Sequence, residues 1–397
     1  MENQPPQQPA DSSPFSLATT LCQTLVRIPS VNPDDNPGTT QTGEARCAHW
    51  IAHWLKTEFP GVNVETPEVL PGRPNVVARF QTNALNKPRL LFAPHTDTVS
   101  VVGMTIDPFS GEIREGKVHG RGASDTKGPM ASMLAALHSC RDVLPSLSHE
   151  IWFAGLAGEE AGQHGAHALA ATEGFDLVIA GEPTGLNTVF THKGSMFLSL
   201  TTRGVAVHAA QPEKGCNAIY SMIKIIQVVE NEIAPWLKTF THPTLGHSTV
   251  SAGTIQGGSK TNVVPDYCHA TLDLRLVPGQ GDAFESELFA RLRNACPQVE
   301  IQVLRSLPLL TDLSHPLLEK LRNLGSNPVG APWFCDAAVF AQKGSPAIAL
   351  GPGSIAQAHT CDEWIAIADL DAGAEFFERF LRGLQGEASN QQTPAGT

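Results

Sequence analysis

Long apolar runs are missing from this sequence. None approaches the roughly 20 consecutive apolar residues that a membrane-spanning helix requires, and the run 347–350 is far shorter. The opening segment, MENQPPQQPADSSP, has neither the basic start nor the apolar core of a signal peptide. We therefore expect a soluble protein of the cytoplasm, with no membrane partner.

Cysteine pairs of the CxxC type are also lacking. The eight cysteines are scattered along the chain, and a protein of this length does not depend on disulfides, so we expect reduced thiols. Basic residues are outnumbered, with 27 Lys and Arg against 39 Asp and Glu and a formal net charge of -12. This balance argues against a nucleic-acid partner, because binding to a phosphate backbone requires a basic surface.

The length of 397 residues exceeds what one hydrophobic core usually supports, so two domains are expected. Strand and helix patterns alternate in 15–190 and 306–385, which predicts a discontinuous α/β domain with a mostly parallel central sheet flanked by helices. The intervening segment 191–305 instead predicts an inserted α+β domain, with two helices, over 218–233 and 284–295, on a four-stranded antiparallel sheet. The tails, 1–14 and 386–397, are polar and rich in Pro, Gln, Ser and Gly, which predicts disorder.

Candidate metal ligands follow the predicted strands of the α/β domain. The strands are predicted at 89–94, 151–156, 177–180 and 346–350, and a helix is predicted at 125–140. The side chains that follow these strands or open this helix are His95, Asp97, Asp125, Glu159, Glu160, Glu182 and His359. Because ligands bind in the crevice outside the carboxyl ends of the strands in such a sheet, we expect these side chains to gather there.

Several carboxylates in one cleft raise one another's pKa and resist ionisation, unless cations offset their charge. Imidazole and carboxylate ligands without thiolate suit zinc, or related divalent metals such as cobalt or manganese. Paired hydrolytic metals lie about 3.5 to 4 Å apart, a spacing that one carboxylate can bridge. The sequence therefore predicts two divalent metal ions, with Asp125 as the bridging ligand.

Several of these candidates also have an ordinary structural explanation. Asp125, before a helical run, could be an N-cap that accepts a backbone N–H. Glu159 and Glu160 could be acids in the first turn of a helix, where they complement its dipole. His95 could be a histidine of a surface loop. The metal hypothesis rests on their common placement at strand ends.

The motifs of the chain resemble, in order, those of the M20 metallopeptidase family, which includes acetylornithine and succinyl-diaminopimelate deacylases, aminoacylases and carboxypeptidases. The matching motifs are APHTDTV, GRGASDTKG, AGEEAG, IAGEPT, GVAVHAAQPEKGCNAI, SKTNVVPD and GPGSIAQAHTCDEW. The resemblance implies a metal-binding catalytic domain interrupted by a lid domain that mediates dimerisation. A homodimer is therefore expected.

The resemblance also assigns roles to the candidate residues. It implies one metal held by Asp125, Glu160 and His359, and a second held by His95, Asp125 and Glu182. Asp97 matches the acid that orients the first histidine, a task that fixes its tautomer. Glu159 matches the general base.

Residues of the inserted domain are implied to contact the substrate. His208 is similar to the histidine that reaches the active site from the partner subunit and stabilises the oxyanion; without the resemblance it would be interpreted as a partly exposed strand histidine. Asn262 and Arg275 match positions that bind the substrate carboxylate, for which the planar guanidinium of Arg is suited. Gly353, in the loop 351–355, is expected to line the same pocket.

The motifs THKG and GPGSIAQAH are most similar to those of acetylornithine deacetylases and acetylcitrulline-cleaving relatives. The expected function is deacylation of a small N-acyl amino acid, first of all N2-acetylornithine to ornithine and acetate in arginine biosynthesis. Alternatives are a dipeptidase or carboxypeptidase of the same family, and a deacylase of acetylcitrulline or succinyl-diaminopimelate. A binding protein without catalytic activity is a further alternative, although Glu159 and all the implied ligands are present.

Overall fold

The structure is a computed structural model that describes residues 15–83 and 86–385. The predicted disordered tails, 1–14 and 386–397, lie outside these described residues. The chain divides into a larger unit, which contains the described residues of 15–189, 311–328 and 335–385, and a smaller unit, which contains 190–310 and 329–334. The assignment of 15–190 with 306–385 as catalytic domain and of 191–305 as lid stays a prediction.

Helices occur in both units. The helices are α1 (Leu17–Val26), α2 (Glu44–Glu58), α3 (Lys127–Ser139), α4 (His164–Ala170), α5 (Ala218–Val228), α6 (Ala234–Leu237), α7 (Phe284–Ala295), α8 (Pro316–Asn323), α9 (Ala337–Gln342) and α10 (Ile367–Arg382). Within the described residues, no helix is long and apolar enough to cross a membrane.

The strands include short edge segments as well as the long strands of the smaller unit. They are β1 (Asn63–Glu65), β2 (Glu68–Leu70), β3 (Arg73–Pro74), β4 (Val76–Arg79), β5 (Arg89–Ala93), β6 (Glu112–Arg114), β7 (Lys117–His119), β8 (Glu150–Gly155), β9 (Leu177–Ala180), β10 (Thr188–His192), β11 (Gly194–Arg203), β12 (Thr241–His242), β13 (Gly246–His247), β14 (Thr249–Gly257), β15 (Tyr267–Leu276), β16 (Glu300–Ser306), β17 (Leu309–Leu310), β18 (Pro328–Ala331), β19 (Ala347–Ala349) and β20 (Trp364–Ala366). The longest of them, β11, β14 and β15, belong to the smaller unit.

The central sheet of the larger unit is mixed. Its strands lie in the order β1, β4, β8, β5, β9 and β19. The pairs β8–β5, β5–β9 and β9–β19 are parallel, whereas β1–β4 and β4–β8 are antiparallel. The parallel pairing expected from the alternation of strands and helices is therefore found among β8, β5, β9 and β19, the strands that the candidate ligands follow.

Both faces of this sheet are buried, as the nearly continuous apolar sequence of its strands predicts. On one face Phe92 packs edge-on against Phe377 of α10, with ring centroids 5.4 Å apart. On the other face Trp152 packs against Phe175, which in turn contacts Phe340 of α9. The central strands are thus held from both sides, and their ends are fixed points for the loops that follow.

The smaller unit is built as an antiparallel sheet with helices packed on it. Its strands lie in the order β14, β15, β11 and β16. Alternate residues of β11, such as Met196, Leu198 and Leu200, are buried and share a core with Met222 of α5 and Leu288 of α7. The α+β arrangement predicted for this part of the chain is present.

Two predicted helix boundaries differ from the structure. The helix predicted from Asp125 begins at Lys127 with Thr126 as its N-cap, so Asp125 is not the N-cap. The helix predicted over 218–233 is α-helical only to Val228 and continues as a π-helical turn before α6. Pro235 lies in the first turn of α6, and its missing N–H removes one bond of the regular helical ladder.

Candidate metal centre

The parallel strands bring the candidate ligands to one edge of the sheet. His95 lies two residues beyond β5, Glu182 lies two residues beyond β9, and Glu159 and Glu160 follow β8. His359 belongs to the longer loop that follows β19. These strands are neighbours, so their carboxyl ends open on a common crevice.

A first group of possible ligands contains His95, Asp125 and Glu182. Each offers one ligand atom, and these atoms lie within 4.8 Å of one another. The Nε2 atom of His95 is 3.1 Å from Oδ1 of Asp125. All three residues are buried.

A second group contains Asp125, Glu160 and His359, whose ligand atoms also lie within 4.8 Å of one another. The Nε2 atom of His359 is 3.4 Å from Oδ2 of Asp125 and 3.2 Å from Oε2 of Glu160. The two oxygens of Asp125 therefore face different histidines. This placement gives Asp125 the geometry of a carboxylate shared between two sites.

Glu159 belongs to the same cluster. Together with His95 and Glu160 it forms a third group of ligand atoms within 4.8 Å, and its side chain is buried. The distances alone therefore do not show whether Glu159 is a metal ligand or has another role. Neither glutamate lies in the first turn of a helix, because α4 begins at His164.

The acids of the cluster have strongly shifted pKa values. Burial and the nearby Asp125 carboxylate raise the pKa of Glu160 to about 7, and burial with neighbouring carboxylates raises the pKa of Glu159 and Glu182 well above the usual range. Burial acts in the same direction on Asp125, but bonds to His359 and His95 outweigh it and hold its pKa below the ordinary value. Hydrogen bonds to Asp125 and Glu160 raise the pKa of His359 to about 10.

The cluster fits a pair of divalent cations. Oε1 of Glu160 is buried and has no hydrogen-bond partner, a costly state for a polar atom that a cation would relieve. Positive charge would also offset the mutual repulsion that raises the carboxylate pKa values. Imidazole and carboxylate donors without thiolate match zinc and chemically similar divalent metals.

Asp97 lies behind the candidate ligands. Its Oδ1 atom accepts the backbone N–H of Glu159 at 3.0 Å, and Oδ2 accepts that of Glu160 at 3.1 Å. The Nδ1 atom of His95 lies 2.9 Å from the carbonyl oxygen of Asp97. Asp97 therefore fixes both the ring of His95 and the backbone of the two glutamates.

Three polar residues that sequence reasoning missed support the same region. Asn32 donates to Oδ2 of Asp97 at 2.7 Å. Glu44 accepts the backbone N–H of Gly158 at 3.0 Å and forms a buried ion pair with Arg73. Asn32 lies 65 positions from Asp97 in the chain, and Glu44 lies 114 positions from Gly158. Nothing in the local sequence of these residues marks them.

Asp336 is a further acid that the sequence analysis missed. Its side chain is buried, Oδ1 accepts a hydrogen bond from Gln163 at 3.3 Å, and Oδ2 has no partner. Burial, together with neighbouring acids such as Asp97, raises its pKa to about 7. The available signal was a lone acid in the otherwise apolar segment WFCDAAVF.

The residues expected to bind substrate fall in different units. His208, Asn262 and Arg275 belong to the smaller unit, whereas the metal cluster belongs to the larger one. His208 and Asn262 are exposed and lie on adjoining segments, since the N–H of Ala209 donates to the carbonyl of Asn262 at 3.0 Å. Arg275 pairs with Asp273, with Nε 3.0 Å from Oδ1.

Gly353 lies in the larger unit beside the loop that carries Asp125. Its φ is +86°, a conformation that favours glycine. A Cβ atom at this position would lie 2.9 Å from Oγ of Ser124 and 3.0 Å from Cδ1 of Ile365. The residue therefore permits a close approach of backbone to the segment before Asp125.

Comparisons with known sequences agree with the motifs. A model described as peptidase family M20/M25/M40 matches residues 91–383. The chain is 30% identical over 380 residues to the acetylornithine deacetylase of Proteus mirabilis, which is 92% of this chain and 96% of that protein.

Solved structures show the same fold. A tripeptidase from Staphylococcus aureus matches with a TM-score of 0.73 and 23% identity, over 93% of this chain and 98% of that one. An M20 family metallo-carboxypeptidase from Sulfolobus solfataricus matches with a TM-score of 0.74 and 20% identity, over 93% of this chain and 99% of that one. The predicted α/β fold with an inserted α+β domain is confirmed.

The raised pKa of Asp336 predicts a pH-dependent effect of Asp336→Asn in the metal-free protein. The unfolded carboxyl ionises near pH 3.8 but the folded one only near pH 7, so wild type loses stability as the pH rises between these values. The variant has no such group. We expect its stability relative to wild type to increase across this window, by up to about 4 kcal/mol.

Urea unfolding in the presence of EDTA, at about pH 4 and about pH 8, measures this difference. The exposed Asp371 provides the control, and Asp371→Asn should show the same difference from wild type at both pH values. If the stability difference between Asp336→Asn and wild type were also the same at both pH values, the pKa of the Asp336 carboxyl would not be raised in the folded protein.

Proposed function

The chain belongs to peptidase family M20/M25/M40, and on that premise we propose that it is a dinuclear metal-dependent amidohydrolase that deacylates a small N-acyl amino acid. The main support is Asp125, whose two oxygens face His95 and His359 in two separate groups of possible ligands. Such a shared carboxylate is what a pair of metals requires.

We propose that His95, Asp125 and Glu182 hold one metal and that Asp125, Glu160 and His359 hold the other. Zinc is the first choice and cobalt the second. When bound, such metals lower the pKa of a coordinated water toward about 7 and polarise an amide carbonyl. Asp97 keeps His95 in the required orientation through the contact at Nδ1.

Glu159 is proposed as the general base. Its carboxylate lies in the cluster with His95 and Glu160, a position from which it can take a proton from water and later return it to the leaving amine. Asp97 fixes the backbone of Glu159, which keeps the side chain in place while the proton moves.

The smaller unit is proposed as a lid that also mediates dimerisation. Its strand β14 lies at the edge of the sheet and is exposed along almost its whole length. Unpaired backbone groups of an edge strand can pair with a second chain, and exposed apolar residues lie on this strand and on the helix beside it, Ile255, Tyr220 and Ile223. In the proposed homodimer, His208 enters the site of the partner subunit and donates to the oxyanion.

N2-acetylornithine is the proposed substrate, which would place the enzyme in arginine biosynthesis in the cytoplasm. The support is the likeness to the acetylornithine deacetylase of Proteus mirabilis over nearly the full length of both chains. In this proposal Asn262, Arg275 and Gly353 contribute to substrate binding. Because the matching solved structures include a tripeptidase and a carboxypeptidase, short peptides are the second candidate substrates.

A substrate panel separates these candidates. Release of free amine would be measured for N2-acetylornithine, acetylcitrulline, succinyl-diaminopimelate and several di- and tripeptides, with added zinc or cobalt. We expect the highest kcat/KM for N2-acetylornithine. Preference for a peptide would identify a peptidase, and no turnover of any compound by metal-loaded protein would favour a binding protein.

Glu159→Gln is expected to lower kcat by about 10²- to 10⁴-fold, because it removes the group that transfers the proton. Metal content, measured by elemental analysis, should remain as in wild type. Glu375→Gln is the matched control, since Glu375 is exposed on α10, and it should leave kcat unchanged. A Glu159→Gln enzyme that keeps substantial activity would remove Glu159 from the role of base.

His208→Ala is also expected to lower kcat, because an oxyanion donor is lost. Mixing this variant with Glu159→Gln should restore activity, since a mixed dimer contains one site with both residues intact. Random exchange of subunits gives roughly a quarter of wild-type activity. Mixed dimers verified by ultracentrifugation and differential tags, yet inactive, would contradict a contribution from the partner subunit.

A further inference from the structure

Glu363 is a fully buried carboxylate close to the metal cluster but not part of it. Its side chain is 1% exposed. Oε1 accepts the backbone N–H groups of Ser124 and Asp125, both at 2.8 Å. Oε2 accepts the backbone N–H of Gly122 and Nη1 of Arg121, also both at 2.8 Å. All four of these hydrogen bonds come from 121–125, the segment that presents Asp125.

Arg121 extends these contacts to other loops of the site. It is buried, and besides Glu363 it contacts two backbone carbonyls. Nε donates to Ser100 at 3.1 Å, and Nη2 donates to Thr360 at 3.1 Å. Ser100 follows the segment of His95 and Asp97, and Thr360 is the residue after His359. The pair therefore ties together three segments that carry candidate ligands.

His359 depends on such external support more than His95 does. The side chain of His359 is 57% exposed, whereas that of His95 is 2% exposed. His359 also has a φ of +60°, which is uncommon for a residue with a side chain. His95 follows a central strand directly and is fixed by Asp97. Glu363 lies four residues beyond His359 and anchors that loop.

The charge of the pair suits its location. An additional unpaired carboxylate beside Asp125 and the glutamates would add to their repulsion. Arg121 neutralises Glu363 within a buried ion pair whose remaining donors and acceptors also have partners, the condition under which such a pair is tolerated. The acid can therefore accept the N–H groups of the Asp125 loop without adding net negative charge.

We propose that Arg121 and Glu363 are positioning residues that set the placement of Asp125 relative to His359. This inference rests on the proposed metal-dependent function. It predicts unequal effects on the two metals, because the pair supports two ligands of one group, Asp125 and His359. In the other group it supports Asp125 directly and reaches the segment of His95 only through the carbonyl of Ser100.

The neighbouring Asp362 offers a matched control. It also fixes the loop of His359, but to a different part of the structure, since Oδ1 accepts the N–H groups of Thr105 at 2.9 Å and Ile106 at 3.3 Å. Among the described residues, its side chain forms no hydrogen bond with the Asp125 segment. Asp362→Asn removes a negative charge from the same loop but leaves the Arg121–Glu363 pair intact.

The test is calorimetric titration of the metal-free full-length protein with zinc. Wild type should bind two equivalents. In Glu363→Gln the amide faces N–H donors with its NH₂ group, so about half of the bonds are lost. We expect one equivalent to bind within about threefold of wild type and the other about 10- to 100-fold more weakly. Asp362→Asn should bind both equivalents as wild type does.

Arg121→Lys keeps the positive charge but cannot reach all three partners, so it should weaken the same single equivalent. If circular dichroism shows that Glu363→Gln fails to fold, Arg121→Lys alone tests the positioning role. In cobalt-substituted protein, both variants should change the visible spectrum of one site only.

Equal affinities for both equivalents in the variants, or equal weakening of both, would overturn the positioning role while leaving the dinuclear function intact. A wild type that binds no zinc would instead overturn the metal-dependent function, and this inference with it.

Discussion

Repulsion between buried carboxylates is the constraint on which the rest of the larger unit depends. Asp125, Glu159, Glu182 and Asp336 are all buried at one edge of the sheet, and the pKa values of the last three are raised by burial. Such a cluster is stable only if cations offset its charge or if some of its members stay protonated. The fold concentrates this repulsion at one edge of the sheet, where parallel strands end side by side.

A second layer of acids holds the loops of the cluster. Asp97 accepts N–H groups from Glu159 and Glu160, Glu44 accepts that of Gly158, and Glu363 accepts that of Asp125. Glu44 and Glu363 are each paired with a buried arginine. The charges of Glu44 and Glu363 are thus neutralised by the protein itself, whereas those of the cluster are left for an external cation.

The sequence was most informative where local patterns coincide with sheet topology. The apolar segments before His95, Glu160 and Glu182 predicted strands whose carboxyl ends meet. In the structure, β8, β5, β9 and β19 form parallel pairs, which bring these three residues to the same edge of the sheet. Local patterns were less informative where the chain departs from regular structure, as at Asp125, which precedes α3 by two residues instead of opening it. Its position is fixed by Glu363, more than 200 residues further along the chain.

The sequence by itself determined the fold class, the strands and the family, because apolar periodicity and short motifs are properties of neighbouring residues. Tertiary structure alone decided which acids form the cluster and which support it, because a carboxylate acquires its role from burial and from donors that lie far away in the chain. Asp336 and Glu363 are ordinary acids in the sequence. In the structure one is a buried acid with an unpartnered oxygen, and the other accepts the N–H groups that place Asp125.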